Sequence, residues 1–178
     1  RPLAAHGCHL PALHADSAGG TVLDRGAGTG MFTLGRALRG PARVIAVELD
    51  SDPLTTAVEN RRRVGTRTPI HGLQADGTDL PLSIPEPVTV VMNPPFGAQK
   101  GQEGADRGFL STVADVAAVS YSVHNAGSEE FIEAYANDNG GKVTHAFSAD
   151  FELDNQFDHH EADTQAVDTE VYRIEWDS

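Results

Sequence analysis

Lysine is nearly missing from this sequence. Only Lys100 and Lys142 stand beside eleven arginines, and 26 acidic residues bring the formal charge to −13. A surface so acid-rich and lysine-poor opposes non-specific binding to phosphate backbones and resembles the surfaces of proteins kept in a high-salt cytoplasm; an acidic partner-binding face is the competing explanation. Cysteine is confined to Cys8, which excludes an internal disulfide and fits a reducing, cytoplasmic location. No apolar run approaches membrane-spanning length, and the first residues do not form a signal peptide. Because the first residue is Arg1 rather than Met, an N-terminal segment is expected to be missing. What remains, 178 residues with 39% hydrophobic content, suits one domain over residues 1–178 with a full core.

The stretch from Val88 to Phe96, VTVVMNPPF, organises the rest. A β-branched apolar run predicts a buried strand, and Asn93-Pro94-Pro95-Phe96 ends it in a rigid turn. The two prolines remove two backbone donors, so the turn offers mainly acceptors: the Asn93 side-chain oxygen and the Pro94 carbonyl. Two converging acceptors suit an exocyclic amino group, holding it in the tetrahedral form whose lone pair can attack an electrophile. Phe96 adds a flat apolar face on which a base can stack. An ordinary strand-ending turn is the plain alternative.

Upstream, a short strand at Thr21 to Leu23 runs into Asp24-Arg25-Gly26-Ala27-Gly28-Thr29-Gly30, followed by an amphipathic helix from Met31 to Arg39. The glycines permit a tight turn and let a ligand approach the helix N-terminus. A dinucleotide fingerprint would place Gly where Met31 stands, and Asp24 at the strand end would repel a pyrophosphate; a ligand carrying an amino cation fits better. The next predicted strand, Arg43 to Val47, ends in Glu48, placed to accept both hydroxyls of a ribose, with Asp50 as its neighbouring candidate and as a helix cap. The helix beyond ends in Arg61-Arg62-Arg63, suited to the macrodipole and read as a solvated terminus in preference to an RNA contact. A third strand, Ile70 to Gln74, leads to Asp76, placed to accept from an adenine amino group, and to Gly77, which leaves room for the ring.

Strands alternating with helices predict right-handed crossovers and a mostly parallel sheet covered on both faces, its ligand beyond the strands' carboxyl ends where strand order reverses. Asp24, Glu48, Asp76 and Asn93 each fall at such an end. Residues 97–108 are expected to form a polar, glycine-rich loop whose cations, Lys100 and Arg107, can meet a nucleic-acid phosphate. A helix from Phe109 to Ala118, a strand from Val119 to His124, a helix from Ser128 to Asn137 and an antiparallel pair, Lys142 to Phe151 and Thr169 to Trp176, complete the chain. His124 is assigned a structural role rather than that of a proton shuttle, because attack by an amine lone pair needs no strong base. His6, Cys8, His9 and His14, and the adjacent His159 and His160, lack metal-ligand spacing, so no metal site is expected.

The segments LDRGAGTG, VELD, LQADGTDLP, VMNPPFGAQ, YSVH and EVYRIEW resemble the archaeal and eukaryotic ribosomal-RNA adenine-N6 methyltransferases of the methyltransferase-like protein 5 type. D-x-G-x-G-x-G between a strand and a helix is similar to motif I of S-adenosylmethionine-dependent methyltransferases. The resemblance implies a Rossmann-like α/β fold with a mostly parallel seven-stranded sheet and an antiparallel C-terminal hairpin, and methylation of ribosomal RNA, most naturally that of the small subunit. It places S-adenosylmethionine against Gly26, Thr29, Met31, Glu48, Asp76 and Asn93, and the target adenine against Asn93, Pro94, Pro95 and Phe96. With the reading of the glycine turn and the strand ends, the cofactor set is Asp24, Gly26, Gly28, Thr29, Gly30, Met31, Glu48, Asp76, Gly77 and Asn93. A small zinc-binding activator subunit is the implied partner, added to the edge of the third strand. The family usually has Cys at the position of Ala27 and an upstream Gln-Tyr-x-Thr segment, which this sequence lacks. DNA adenine methylation, methylation of a glutamine amide, and an inactive cofactor-binding scaffold are the alternatives. Against the first two stand the short chain, with no DNA-recognition domain, and Phe rather than Tyr at position 96.

Overall fold

The structure, a computed structural model, describes residues 15–93, 105–152 and 166–177. Seven strands form one sheet: β1 (Thr21–Arg25), β2 (Arg43–Glu48), β3 (Ile70–Gln74), β4 (Val88–Met92), β5 (Ala117–Asn125), β6 (Gly141–Glu152) and β7 (Ala166–Trp176). Among the described residues these helices accompany them: α1 (Met31–Ala37), α2 (Ser51–Val64), α3 (Ala105–Ala114) and α4 (Glu129–Asp138). Strand order is β3-β2-β1-β4-β5-β7-β6, with β7 antiparallel to both β5 and β6 and every other pair parallel. The expected mostly parallel sheet and antiparallel closing pair are thus observed, and β3 stands at an edge.

The central strands are apolar because they are covered on both faces. All five residues of β1 and of β4 are buried. Alternation along them sorts the core into two layers. Leu23, Val47, Val90 and Met92 pack with Leu110 and Val113 of α3, Ile132 and Ala136 of α4, and Tyr172, Ile174 and Trp176 of β7. Leu80, Leu82 and Ile84, between β3 and β4, extend this layer without a helix. On the opposite face Val22, Val44, Val91, Tyr121, Val123 and Val171 pack with Ala37 of α1. Strand order reverses between β1 and β4, so the crevice expected for a ligand opens beyond their carboxyl ends.

Several boundaries differ from expectation. β1 continues through Asp24 and Arg25, which pair with Ala46 and Val47 on one side and with Val91 and Met92 on the other. α1 stops at Ala37, two residues early, where the Arg39 N–H turns to the Arg36 carbonyl and Gly40 takes φ 79°. α3 begins at Ala105, inside the stretch expected to be loop, and ends at Ala114, while β5 begins at Ala117. His6, Cys8, His9 and His14, the Pro94-Pro95-Phe96 turn, Lys100, and His159-His160 lie outside the described residues. Among the described residues no helix is long and apolar enough to cross a membrane.

Candidate active site

The glycine turn is held by the end of β2. The Gly26 and Ala27 N–H groups both donate to the Val47 carbonyl, at 2.9 and 3.0 Å, and the Gly30 N–H donates to the Ala27 carbonyl at 2.8 Å. Gly30, at φ 85°, must be glycine for two reasons. Its backbone is left-handed, and a Cβ there would lie 2.7 Å from the Ala57 Cβ of α2. The turn leaves Gly26, Thr29 and Met31 exposed at the N-terminus of α1.

Glu48 is tied into the same turn. One carboxylate oxygen accepts the Gly28 N–H at 2.7 Å, and the other accepts the Leu49 and Asp50 N–H groups at 2.9 and 3.2 Å. Those donors hold the half-buried carboxylate against the glycine turn. Asp76, one strand over and exposed, closes its own turn by accepting the Thr78 N–H and hydroxyl, both at 2.7 Å. The Thr78 bonds hold its carboxyl below the usual carboxylate range.

Asp24 behaves differently. It is 1% exposed on the α1 side of the sheet and accepts the Thr33 hydroxyl at 2.5 Å. Burial pushes its carboxyl up to about 6, against the pull of the Thr33 hydroxyl and N–H, and the nearby Glu48 carboxylate adds to the rise. Above that pH it is a buried negative charge beside a second carboxylate, a setting that attracts a cation.

At the tip of β4, the Asn93 side-chain oxygen is buried and has no hydrogen-bond partner among the described residues. A buried amide oxygen without a donor is uncommon and costs about 1–3 kcal/mol, so it marks a place where a ligand donor belongs. Beside it on β5, the Ser122 hydroxyl and the His124 Nε2 are likewise buried without partners among the described residues. His124 meets the Tyr172 ring edge-on at 5.9 Å, and burial lowers its imidazole to about 4, so it is neutral at neutral pH.

Glu48 ends β2, Asn93 and Asp76 stand one and two residues past the ends of β4 and β3, and Asp24 stands one residue before the end of β1; the register brings all four to one border of the sheet. Sequence reasoning passed over Arg25. Fully buried, it donates to the Gly77 carbonyl and to the Thr112 hydroxyl of α3, so the Asp76-Gly77 turn is fastened from beneath. Burial lowers its guanidinium to about 10, with Asp76 pulling the other way, and it stays charged at neutral pH. Its one signal in the sequence was its place between an inward aspartate and the glycine turn.

A family model for the RMKL-like methyltransferase domain, UPF0020, matches residues 26–147, from the glycine turn to the middle of β6. The chain belongs to this family. As an RMKL-like methyltransferase it is similar to the Drosophila melanogaster rRNA N(6)-adenosine-methyltransferase Mettl5, 29% identical over 170 residues that cover 94% of this chain and 79% of that protein. A crystal structure of a putative RNA methyltransferase from Pyrococcus horikoshii superposes with TM-score 0.82 at 29% identity, covering 98% of this chain and 84% of that one. The Methanocaldococcus jannaschii TYW2 structure in complex with AdoMet, at 18% identity, covers 93% of this chain and 73% of that one with TM-score 0.62, and shows a shared fold.

Proposed function

We propose that this methyltransferase transfers a methyl group from S-adenosylmethionine to the N6 amino group of an adenine in ribosomal RNA, with small-subunit RNA as the first substrate to try. The buried, unpartnered Asn93 oxygen carries the reading, because an acceptor at a strand tip has need of an N–H donor. The relative named as an rRNA N(6)-adenosine-methyltransferase supports the acceptor class. The acceptor-rich border supports the cofactor, which when bound supplies a methyl group on a cationic sulfur.

In this reading Glu48 accepts the ribose hydroxyls and Asp76 the cofactor's adenine amino group, with Gly77 leaving room for the ring. The exposed Gly26, Thr29 and Met31, with Gly28 and Gly30 shaping the turn, let the ligand lie against the start of α1. Asp24 supplies negative charge beneath a cationic ligand. Asn93 accepts from the target amino group and turns its lone pair away from the ring. Pro94 contributes its carbonyl, Pro95 stiffens the turn and Phe96 stacks on the base. Positioning and polarisation account for the acceleration, since the methyl group already sits on a good leaving group. The adenine must leave its stack, so a single-stranded or bulged position is the substrate.

Asn93→Ala should reduce methyl transfer by about 10²-fold or more, while calorimetry shows a smaller loss of S-adenosylmethionine affinity. Full tritium transfer to RNA by the variant would end the proposal. Offering ribosomal RNA, DNA and a glutamine-bearing release-factor protein side by side identifies the acceptor.

The open edge of β3 suits strand addition by a small zinc-binding activator subunit. His71, Gly72 and Gln74 are exposed along it, and Leu49 and Val58 are exposed nearby, 61% and 41%. Coexpression with that subunit should raise soluble yield and activity, and the pairing should be lost when Gly72, on this edge, is replaced by Pro. Equal yield and activity with and without the subunit would remove it from the picture.

A further inference from the structure

The end of α2 carries charge opposite in sign to the net charge of the chain. α2 starts beside Glu48 and runs back against the strands for 14 residues, about 20 Å. Its last turn therefore stands at the amino-terminal border of the sheet, opposite the crevice. There Arg61, Arg62 and Arg63 end the helix and Arg67 follows two residues beyond its Gly65 cap. Arg61 is committed to the Ile70 carbonyl at 3.4 Å. Arg62, Arg63 and Arg67 are exposed, and among the described residues they make neither an ion pair nor a hydrogen bond.

In a chain of charge −13 that is an odd place to find unspent cations. Arg25 and Arg36 are buried, while Arg43 and Arg173 are paired with Glu86 and with Asp16 and Glu175. Val58, Arg61, Arg62, Gly65 and Thr66 also line a concavity of about 390 Å³, closed on the α1 side where the Thr66 hydroxyl donates to the Ala37 carbonyl. Compensation of the helix dipole accounts for charge within the last turn only. Arg67 lies past it, and among the described residues no acid forms an ion pair with the group, Glu59 one turn back on the helix included.

We propose that this end of α2 is a second RNA contact, in which Arg62, Arg63 and Arg67 grip phosphates of a strand or stem flanking the methylated adenine. It rests on the reading of RNA as substrate. Guanidinium suits phosphate by its paired N–H groups, and the absence of aromatic side chains among the residues lining the concavity makes the contact one of backbone rather than base. The acidic remainder of the surface repels RNA, so these arginines set the path by which it leaves the crevice. A short oligonucleotide around the target does not reach them; a longer RNA does.

The test replaces Arg62, Arg63 and Arg67 together by Gln, a good helix former, with Arg61 left in place. Unchanged S-adenosylmethionine affinity and thermal unfolding establish that the variant is folded. For the long RNA, affinity should fall about tenfold and the slope of log affinity against log salt should shrink by about 2–3, near one per phosphate contact. KM for that RNA should rise with kcat unchanged, while a short oligonucleotide is methylated as before. Equal affinity and salt slope in variant and native protein would overturn the proposal, as would loss of a copurifying acidic subunit with RNA binding intact. Native protein that binds the long RNA through these arginines and methylates none would leave the contact standing and remove the rRNA reading. Native protein that does not bind RNA would remove both.

Discussion

His124 and Asp24 are buried titratable residues whose effects on stability run in opposite directions. His124 is held near 4 in the folded chain by burial, whereas an unfolded histidine titrates near 6.5. As pH falls from about 6.5 to 4, the unfolded chain gains a proton that the native chain refuses, and about 3 kcal/mol of stability is lost. Asp24 is held up at about 6 against an unfolded value of 3.8. Its contribution is present below the unfolded value and lost as pH rises to about 6, again about 3 kcal/mol. The two offset one another, so between about pH 4 and 6 the native protein should show little pH dependence from this pair. Replacing either exposes the other. His124→Phe should make stability fall as pH rises through that window, and Asp24→Asn should make it fall as pH drops from about 6.5 to 4. Urea unfolding of the three proteins at several pH values between these limits reads the slopes directly. Slopes of the same sign in both variants would contradict the assignment of charge at these positions.

Among the elements, the strands were legible because both their faces are covered. Val88–Met92 reads as one apolar run, and the parallel ladders place its tip beside the other strand ends. The boundary between α3 and β5 was not legible. Val113-Ala114-Asp115-Val116-Ala117-Ala118 satisfies helix and strand alike, and the pairing of Val88 with Ala117 decides it. Arg25 was missed for a related reason: a charged residue is not expected inside a ladder, yet pairing on both sides carries β1 through it and buries it completely. Of the candidate site, the four strand-end residues were legible from rhythm alone, whereas the unpartnered Ser122 and His124 depend on what β7 and the helices lay over them. The contact between the glycine turn and α2 likewise belongs to tertiary structure. Gly30→Ala puts a side chain into a left-handed backbone and drives it against Ala57. Strain of about 1–2 kcal/mol from the backbone and about 1–3 from overpacking should lower stability by roughly 2–5 kcal/mol. Cofactor affinity should fall with it, because α2 can relieve the clash only by moving away from the turn that Glu48 braces. An unfolding free energy within about 0.5 kcal/mol of the native protein's would show that the approach of the two elements is looser than described.

At the scale of the whole molecule, like charge acts on stability and on RNA in opposite senses. The first described residues are drawn onto the sheet by a buried network in which Arg173 of β7 donates to both carboxylate oxygens of Asp16, at 2.8 and 3.0 Å, and the Tyr121 hydroxyl donates to the same group. Hydrogen bonds from Arg173 and Tyr121 and the charge of Arg173 outweigh burial and hold the Asp16 carboxyl below the usual range. Sheltered pairs of this kind are screened little by salt, whereas the exposed acids of α4, Glu129, Glu130 and Glu133, and of α2, Asp52 and Glu59, repel across water. Added KCl shortens the screening length from about 10 Å at 0.1 M to about 3 Å at 1 M, relieving the repulsion while leaving the buried network intact. Thermal unfolding followed from 0.1 to 1 M should therefore shift upward, most steeply at the low end, by several degrees; a Tm that is flat or falls would mean that the acids are paired rather than opposed. RNA affinity should move the other way over the same range, since the arginines at the end of α2 bind phosphate by displacing counterions. Stability and substrate binding then favour different salt concentrations, and methylation of a long RNA should pass through a maximum in KCl. A short oligonucleotide that cannot reach the arginines should show the rise with a later and shallower decline, which separates the effect of salt on the fold from its effect on the second contact.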